Sequence, residues 1–344
     1  MTKIRSIKYG TLFFIATYLS GLVLYLGCRM LFGDEYWWLG LLNEFAWLLF
    51  LPLPISLGLS VLVRNRPLLL GNLFLTAIAL VWFAPYYLPK NPSPATTPTL
   101  KVVTFNTWGV NPRLGEVDGW LQEMEPDIVF LQEIPPGLAD NEVEVVNNVL
   151  PYQASQTTAE RMYGNLLLSR YPILSEENLP GEGVPAQHRF TLDINGRVVA
   201  VYNVHMAQPF GKNRLSFLPD SFITGTILRY YNRVRNQEIR QLLSLIEREQ
   251  LPFIVAGDFN MSDDTAIYQE ISAVMLDSFR EGGTGFGKSW PIRVVEEIPP
   301  FIPPILRVDY IWHSQDFRTI RIFRGPPLGS DHLPFFAEFE FVGQ

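Results

Sequence analysis

The sequence of 344 residues predicts an α/β domain that is preceded by a bundle of three transmembrane helices. Three long apolar runs lie before residue 90, and short strand-like runs alternate with amphipathic stretches after residue 100. Between them, residues 90–99 are rich in Pro, Ser and Thr, which is typical of an extended tether. We therefore predict a transmembrane region at 1–89, a linker at 90–99 and a globular α/β domain at 100–344.

Each apolar run is long enough to cross a bilayer core, which takes about 20 helical residues. The runs are Tyr9–Leu26, which can continue to Phe32, then Phe45–Val63 and Pro67–Tyr87. A cleaved signal peptide would explain only the first of them, so we interpret all three as transmembrane helices. Pro52 and Pro54 predict a kink in the second helix.

The distribution of basic residues predicts the orientation in the membrane. Lys3, Arg5 and Lys8 precede the first run, and Arg64 and Arg66 lie between the second and the third. The positive-inside rule therefore places the N-terminus in the cytoplasm. Three crossings then place the globular domain on the extracytoplasmic side, tethered to the lipid bilayer.

The globular domain is acidic, with 20 basic and 31 acidic residues after residue 99. A net charge of −11 is a poor match for tight, non-specific binding of nucleic acid. Cys28 is the only cysteine of the chain, so no intrachain disulfide forms. Its position in an apolar run also argues against thiol chemistry.

Six short runs rich in β-branched and aromatic residues predict strands, and their nearly continuous apolar character indicates that both faces are covered. Amphipathic patterns predict helices over Glu116–Glu125 and Asn232–Glu249. This mixed order indicates one α/β sandwich of two sheets packed face to face. The six runs are Lys101–Phe105, Asp127–Leu131, Val198–Val204, Phe253–Ala256, Val308–Trp312 and Phe335–Phe341.

Polar side chains follow the ends of these runs, and two facing sheets would bring the ends to one rim. Clustered carboxylates raise one another's pKa unless a cation lies among them. An all-oxygen donor set suits Mg²⁺ or Mn²⁺, and no HExxH or CxxC spacing points to zinc. Gly257 in the segment GDFN predicts a close approach of the backbone to the bound group. The polar residues are Asn106, Glu133, His205, Asp258, Asn260, Asp309, Asp331 and His332.

The ordered segments TFNTWG, FLQE, NVHM, GDFN, RVDY and GSDH resemble the motif set of the endonuclease/exonuclease/phosphatase superfamily. The resemblance covers essentially all of residues 100–344. It implies a four-layer α/β/β/α sandwich and Mg²⁺-dependent cleavage of phosphoester bonds. Trp108 stands where the apurinic-site nucleases of the superfamily carry an acid, which weakens a DNA-repair interpretation.

The resemblance also implies roles for individual residues. Glu133 would be the principal metal ligand, with Asn106 and Asp331 beside it. Three further residues, Tyr202, Asn165 and Arg189, are candidates for lining the substrate site, whereas His188 and His313 are interpreted as ordinary loop or strand residues. The implied catalytic set is His332, His205, Asp258, Asn260 and Asp309, with His332 oriented by Asp309.

The substrate class stays open between alternatives. The segment Gln208–Arg240 is basic and rich in aromatic residues, so one interpretation is a lid that meets either anionic lipid headgroups or stacked bases. The other interpretation is a solvated helix and loop that pack on the rim. A hydrolase acting on a lipid or another envelope phosphoester is our first hypothesis. The alternatives are a tethered nuclease, which the acidic charge disfavours, and a binding protein without catalysis, which the complete set of acids and histidines disfavours.

Overall fold

The computed structural model describes residues 2–90, 94–134, 150–156, 164–179, 187–211, 227–292 and 302–342. These residues fall into two compact units, which are an N-terminal helical unit and a C-terminal α/β unit. The predicted lid at Gln208–Arg240 is described only in part, because residues 212–226 lie outside these ranges.

Within the described residues, the N-terminal unit has three helices that are long and apolar enough to span a membrane, at Ser6–Phe32, Ala46–Val63 and Arg66–Tyr86. The second is interrupted at Leu51 and Pro52, as the prolines predicted. The short helix at Trp37–Glu44 was not predicted, since the segment reads as a turn between the first two spans. The helices are α1 (Thr2–Phe32), α2 (Trp37–Glu44), α3 (Ala46–Phe50), α4 (Leu53–Val63) and α5 (Arg66–Phe83), followed by a 3-10 turn at Ala84–Tyr86.

The C-terminal unit contains two six-stranded sheets. The first sheet has the order β11-β12-β1-β2-β4-β3 and the second has the order β5-β6-β7-β8-β10-β9. The strands are β1 (Leu100–Asn106), β2 (Ile128–Ile134), β3 (Tyr152–Gln156), β4 (Gly164–Ser169), β5 (Ile173–Asn178), β6 (His188–Ile194), β7 (Arg197–His205), β8 (Phe253–Asp258), β9 (Leu276–Asp277), β10 (Asp309–His313), β11 (Phe317–Arg324) and β12 (Phe335–Phe341). The helices are α6 (Leu114–Met124), α7 (Arg233–Ile246), α8 (Ala266–Ser272) and α9 (Ser278–Gly282).

Three buried clusters divide the unit into four layers. The inner faces of the two sheets meet in a core that includes Val102, Phe130, Val201 and Ile254. A second cluster lies under α7 and α8 on the second sheet, and a third lies under α6 on the first sheet. The α/β/β/α sandwich expected from the sequence is therefore confirmed.

The middle of each sheet aligns the ends that carry polar residues. In the first sheet, β1 and β2 are parallel, and Asn106 lies beside Gln132. In the second sheet, β7 and β8 are parallel and bring His205 beside Asp258, which also faces Asp309 on the antiparallel β10. All six predicted strands and both predicted helices form, with boundaries that differ by a few residues.

Candidate active site

The predicted rim exists, and direct contacts connect residues from both sheets. The amide Nδ2 of Asn106, at the end of β1, donates to Glu133 Oε1 at 3.0 Å and to Asp258 Oδ2 at 3.0 Å. His205 Nε2 lies 3.7 Å from the same two carboxylate oxygens. One amide and one imidazole therefore bridge a carboxylate of the first sheet to a carboxylate of the second.

Glu133 reaches this cluster because of an irregularity in β2. Gln132 faces the inter-sheet space and Leu131 packs under α6, so regular alternation would turn Glu133 towards α6 as well. The pairing with β4 shifts register between Leu131 and Ile134, and Glu133 has a φ of 53°. This bulge turns the carboxylate back into the rim, a role that bulges have beside many active sites.

Gly257 permits a close approach between two neighbouring strands. Its φ is 147°, and a Cβ there would lie 1.8 Å from the carbonyl oxygen of Val204 on β7. The glycine therefore allows β7 and β8 to lie close together immediately before His205 and Asp258. The close approach in the structure is one between strands, and the predicted approach to a bound group stays a prediction.

The segment after β8 fixes Asp258 through Asn260, whose φ is 51°. The backbone N–H of Asn260 donates to Asp258 Oδ1 at 2.8 Å, and its side-chain amide donates to the carbonyl of Met206 at 2.9 Å. Met206 N in turn donates to the carbonyl of Asp258 at 2.9 Å. The segments that follow β7 and β8 are thus held together by hydrogen bonds.

His332 is held in the rim by Asp309 and Ser330. Its Nδ1 lies 2.9 Å from Asp309 Oδ2, while its Nε2 lies 3.8 Å from Asp258 Oδ2. Ser330 Oγ accepts from His332 N at 3.0 Å and donates to the carbonyl of Asn106 at 2.7 Å. The short loop before β12 is therefore anchored on β1, which places the imidazole between two buried carboxylates.

Burial and charge set the protonation of these groups. Burial alone would lower the pKa of His332, but the carboxylates of Asp309, Asp331 and Asp258 raise that pKa well above its ordinary value. Burial, reinforced by the charge of Asp309, raises the pKa of Asp258 to about 7, although His332 opposes it. Burial lowers the pKa of His205 despite the nearby Glu133. The rim therefore combines a cationic imidazole, a neutral imidazole and a carboxyl that can exchange a proton near neutral pH.

The sequence profile of the Endonuclease/Exonuclease/phosphatase family matches residues 103–332, a span that contains every group of this rim. The chain belongs to this family. The family hydrolyses phosphoester bonds in general, and its members commonly use divalent metal ions.

Solved structures of the Endonuclease/Exonuclease/phosphatase family share the fold. A family member from Bacteroides vulgatus has a TM-score of 0.54 and 18% identity over 71% of this chain and 100% of its own. A humanized D. rerio TDP2 has a TM-score of 0.53 and 18% identity over 70% of this chain and 99% of its own. D. rerio TDP2 complexed with single strand DNA product has a TM-score of 0.53 and 16% identity over 71% of this chain and 100% of its own. No curated protein matches the sequence.

The donor set of the rim fits the divalent cation that this family commonly uses. The carboxylates of Asp258 and Asp309 lie close together, with one oxygen of each within 4.8 Å of the other and of a nitrogen of the protonated His332, which pairs with them. Glu133 is the more accessible of the two carboxylates bridged by Asn106. Among the described residues, Asp309 Oδ1 and His205 Nδ1 are buried without a hydrogen-bond partner. Carboxylate oxygens such as Asp309 Oδ1 are the ligand type that Mg²⁺ and Mn²⁺ prefer.

Two predicted metal ligands are already engaged by protein groups. Asn106 presents its amide nitrogen to the carboxylates, because its Oδ1 accepts from Trp108 N at 3.0 Å. It would have to turn its amide to ligate a metal through oxygen. Asp331 Oδ2 accepts from Trp290 Nε1 at 3.0 Å, which leaves its other oxygen 3.9 Å from His332 Nε2.

The structure does not bring Tyr202 and Arg189 to the rim, so their interpretation as substrate-lining residues is corrected. Both lie on the helix-covered face of the second sheet, and both donate to Glu249 Oε2, at 2.7 Å and 2.8 Å. They secure the segment after α7. Asn165 is buried on β4 next to the bulge that carries Glu133, so it does lie close to the predicted site.

Part of the predicted basic lid lies in α7, where the sequence also predicted a helix. Arg235 lies in the first turn of α7, is fully buried and donates to the carbonyl of Asn260 at 2.6 Å. Arg240 pairs with Glu270 at 2.8 Å on the far side of the same helix. Residues 212–226 of the predicted lid lie outside the described residues.

Sequence reasoning missed several residues that support the site. Thr107 donates from N and Oγ1 to the carbonyl of Gln132, at 2.9 Å and 3.0 Å, and so holds the bulge in β2. Trp290 holds Asp331, and its ring lies 6.5 Å from that of His332. Thr107 and Gln132 are immediate neighbours of the motif residues Asn106 and Glu133, and this adjacency was the available signal.

Proposed function

We propose that the protein is a membrane-anchored phosphoester hydrolase that depends on Mg²⁺ or Mn²⁺ and acts on a lipid or another envelope phosphoester. The observation that carries the proposal is the cluster at the rim of a sandwich of the phosphoester-hydrolysing family, in which the buried Asp258, Asp309, His205 and His332 meet the partly exposed Glu133. Burying carboxylates and imidazoles costs free energy of desolvation, and a binding protein on this fold would have no need of such groups.

The chain's own groups have distinct roles in this proposal. Asp258 accepts the proton of the attacking water, since its raised pKa lies close to neutral pH. His332 remains protonated beside Asp309 and donates from Nε2 to a phosphoryl oxygen. His205, which is neutral, contacts the phosphate or the leaving group.

Glu133 would hold the divalent cation, with Asp331 and Asn106 as the further candidates near it. When bound, such an ion polarises the phosphoryl oxygen and lowers the pKa of water. Asn106 and Thr107 would keep Glu133 in place, since both contact the bulge that presents it.

Three membrane-compatible helices and an acidic domain favour a lipid or another envelope phosphoester as the substrate. A tethered nuclease is the second candidate, because D. rerio TDP2, which shares the fold, has been solved with single strand DNA product. Tight binding of polyanionic DNA would oppose the charge of −11 on residues 100–344, and this favours the lipid.

The test is hydrolysis by the full-length protein in detergent, with Mg²⁺, Mn²⁺ or EDTA. The substrates are mixed phospholipids including sphingomyelin, plasmid DNA, RNA and bis-p-nitrophenyl phosphate. We expect metal-dependent turnover of a phospholipid, and we expect Glu133→Gln to lower it by about 10³-fold, equivalent to several kcal/mol of lost metal stabilisation. Glu116→Gln, on the exposed side of α6, is the matched control and should retain full activity.

Cleavage of DNA or RNA alone, with the same dependence on metal and Glu133, would favour the tethered nuclease. Activity that survives EDTA and Glu133→Gln on every substrate would contradict the metal-dependent mechanism.

The proposed orientation places the active site outside the cytoplasm and has its own test. In intact spheroplasts, added protease should remove a tag fused after Gln344, whereas a tag before Met1 should stay protected until the membrane is permeabilised. A protected C-terminal tag in intact spheroplasts would show that the catalytic domain faces the cytoplasm.

A further inference from the structure

A layer of buried polar side chains lies between the two sheets, directly below the rim. Thr104 and Gln132 come from the first sheet and Asn203 comes from the second, and all three are fully buried. Gln132 Nε2 donates to Asn203 Oδ1 at 2.8 Å and lies 3.4 Å from Thr104 Oγ1. Burying polar groups in an otherwise apolar core costs free energy unless they form hydrogen bonds, which apolar residues cannot form.

Asn203 makes the contacts that apolar residues cannot make. Its Nδ2 donates to the carbonyl of Leu131 at 3.2 Å and to the carbonyl of Leu166 at 3.1 Å. Leu131 and Leu166 are the last regular pair of β2 and β4 before the register shifts at the bulge. A side chain of the second sheet thus supplies hydrogen bonds at the point where the ladder of the first sheet is interrupted.

Glu133 lies two residues beyond Leu131, and its carboxylate enters the rim only because the bulge turns it. His205 lies two residues beyond Asn203 on β7. The same amide therefore connects the backbone that presents Glu133 to the strand that presents His205.

We infer that Asn203 is a positioning residue that fixes the bulge in β2 and thereby holds the Glu133 carboxylate where a divalent cation binds. The inference deepens the proposed function and rests on it for the role of Glu133. Thr107 holds the carbonyls of Gln132 and Glu133 from the side of β1, so Asn203 is the support from the opposite sheet.

The experiment compares Asn203→Leu and Asn203→Asp in the full-length protein. Leu keeps the branched shape, is larger and removes every hydrogen bond, whereas Asp has nearly the size of Asn, keeps the acceptor for Gln132 and loses the two donated bonds. Thr319→Val is the control, because Thr319 is a buried residue that contacts His313 Nε2 at 3.2 Å, remote from the rim. Electron paramagnetic resonance measures Mn²⁺ binding, and hydrogen exchange measures the protection of residues 131–134 and 164–166.

We expect both Asn203 variants to bind Mn²⁺ about 10- to 100-fold more weakly, as is typical when the support of a metal ligand is removed. We also expect faster exchange in the two segments and no change at either readout in Thr319→Val. Folded Asn203 variants with wild-type Mn²⁺ affinity and wild-type exchange would overturn the inference. If the wild type binds no Mn²⁺ through Glu133, the proposed function fails instead, and the exchange measurement still decides whether Asn203 holds the bulge.

Discussion

Replacing His332 with Gln is expected to lower kcat by about 10²- to 10⁴-fold, the range for a group that transfers or shares a proton in the transition state. Gln keeps a donor near the position of Nε2 but carries no positive charge. His332 owes its charge to the carboxylates around it, because these outweigh the effect of burial on its pKa. The loss should appear in kcat more than in KM, since the charge acts on the phosphoryl group as its charge develops.

The pH dependence provides a second measurement of the same role. Asp309 lies 2.9 Å from Nδ1 and is the first of the carboxylates that raise the pKa of His332. Asp309→Asn lowers that pKa, so the protonated form is lost at a lower pH. The alkaline limb of the kcat profile should therefore shift to lower pH in Asp309→Asn and disappear in His332→Gln. An unchanged alkaline limb in both variants would assign the ionisation to another group.

The sequence predicted the central strands well because they are buried on both faces. Such strands read as continuous apolar runs, and β8 and β12 are clear examples. β5 was missed since it is mostly exposed and consists of Ile, Leu, Ser, two Glu and Asn, so pairing with β6 defines it rather than its own pattern. In β11, inward-facing and outward-facing residues alternate up to Thr319. The register of its pairing with β12 shifts between Thr319 and Arg321, and the period of two is lost there.

The site was predicted from motifs rather than from periodicity, and Glu133 shows why both are needed. Alternation along β2 would direct its side chain towards α6, and only the bulge reverses this. No pattern within β2 marks that bulge, because its supports lie elsewhere in the chain, at Thr107 and at Asn203, which is 70 residues further along than Glu133.

Tyr202, unlike Glu133, could have been placed correctly from the sequence alone, because the alternation of its strand excludes it from the predicted site. A spacing of three residues on one strand places Tyr202 and His205 on opposite faces. Arg189 is the cross-strand partner of Tyr202, so it shares the outer face and the contact with Glu249. Applying the alternation to both residues would have removed them from the predicted site.

A buried charge network beside the rim leads to the second large effect. Arg307, two residues before Asp309, is almost completely buried and donates to both oxygens of Asp277, at 3.0 Å and 2.5 Å. Its Nη2 also lies 3.3 Å from Asp263, and its guanidinium lies over the ring of Tyr310 at 4.4 Å. Burial would raise the pKa of Asp277, but Arg307 holds it below the ordinary value.

Arg307→Met should therefore destabilise the α/β unit by about 3–5 kcal/mol, because it removes the guanidinium that pairs with the buried carboxylate of Asp277, whereas Asp263 keeps its pair with Arg280. For a unit of this size, that cost lowers Tm by roughly 10 °C or more. Thermal unfolding of the full-length protein in detergent measures it, with Arg240→Met as the matched control, since Arg240 forms an exposed pair with Glu270 and should change Tm by little.

The pH dependence of this loss separates an unpaired charge from lost packing. In the wild type, the lowered pKa of Asp277 contributes stability at every pH above the pKa that Asp277 has in the unfolded chain. That stability is lost as the pH falls through the pKa of the folded state. In Arg307→Met the pKa of Asp277 rises above the unfolded value, so the folded state takes up a proton more readily than the unfolded chain. The difference in Tm between wild type and variant should consequently shrink from pH 8 to pH 5. A difference that is the same at both pH values would attribute the loss to packing against Tyr310 and Phe279 rather than to the buried charge of Asp277.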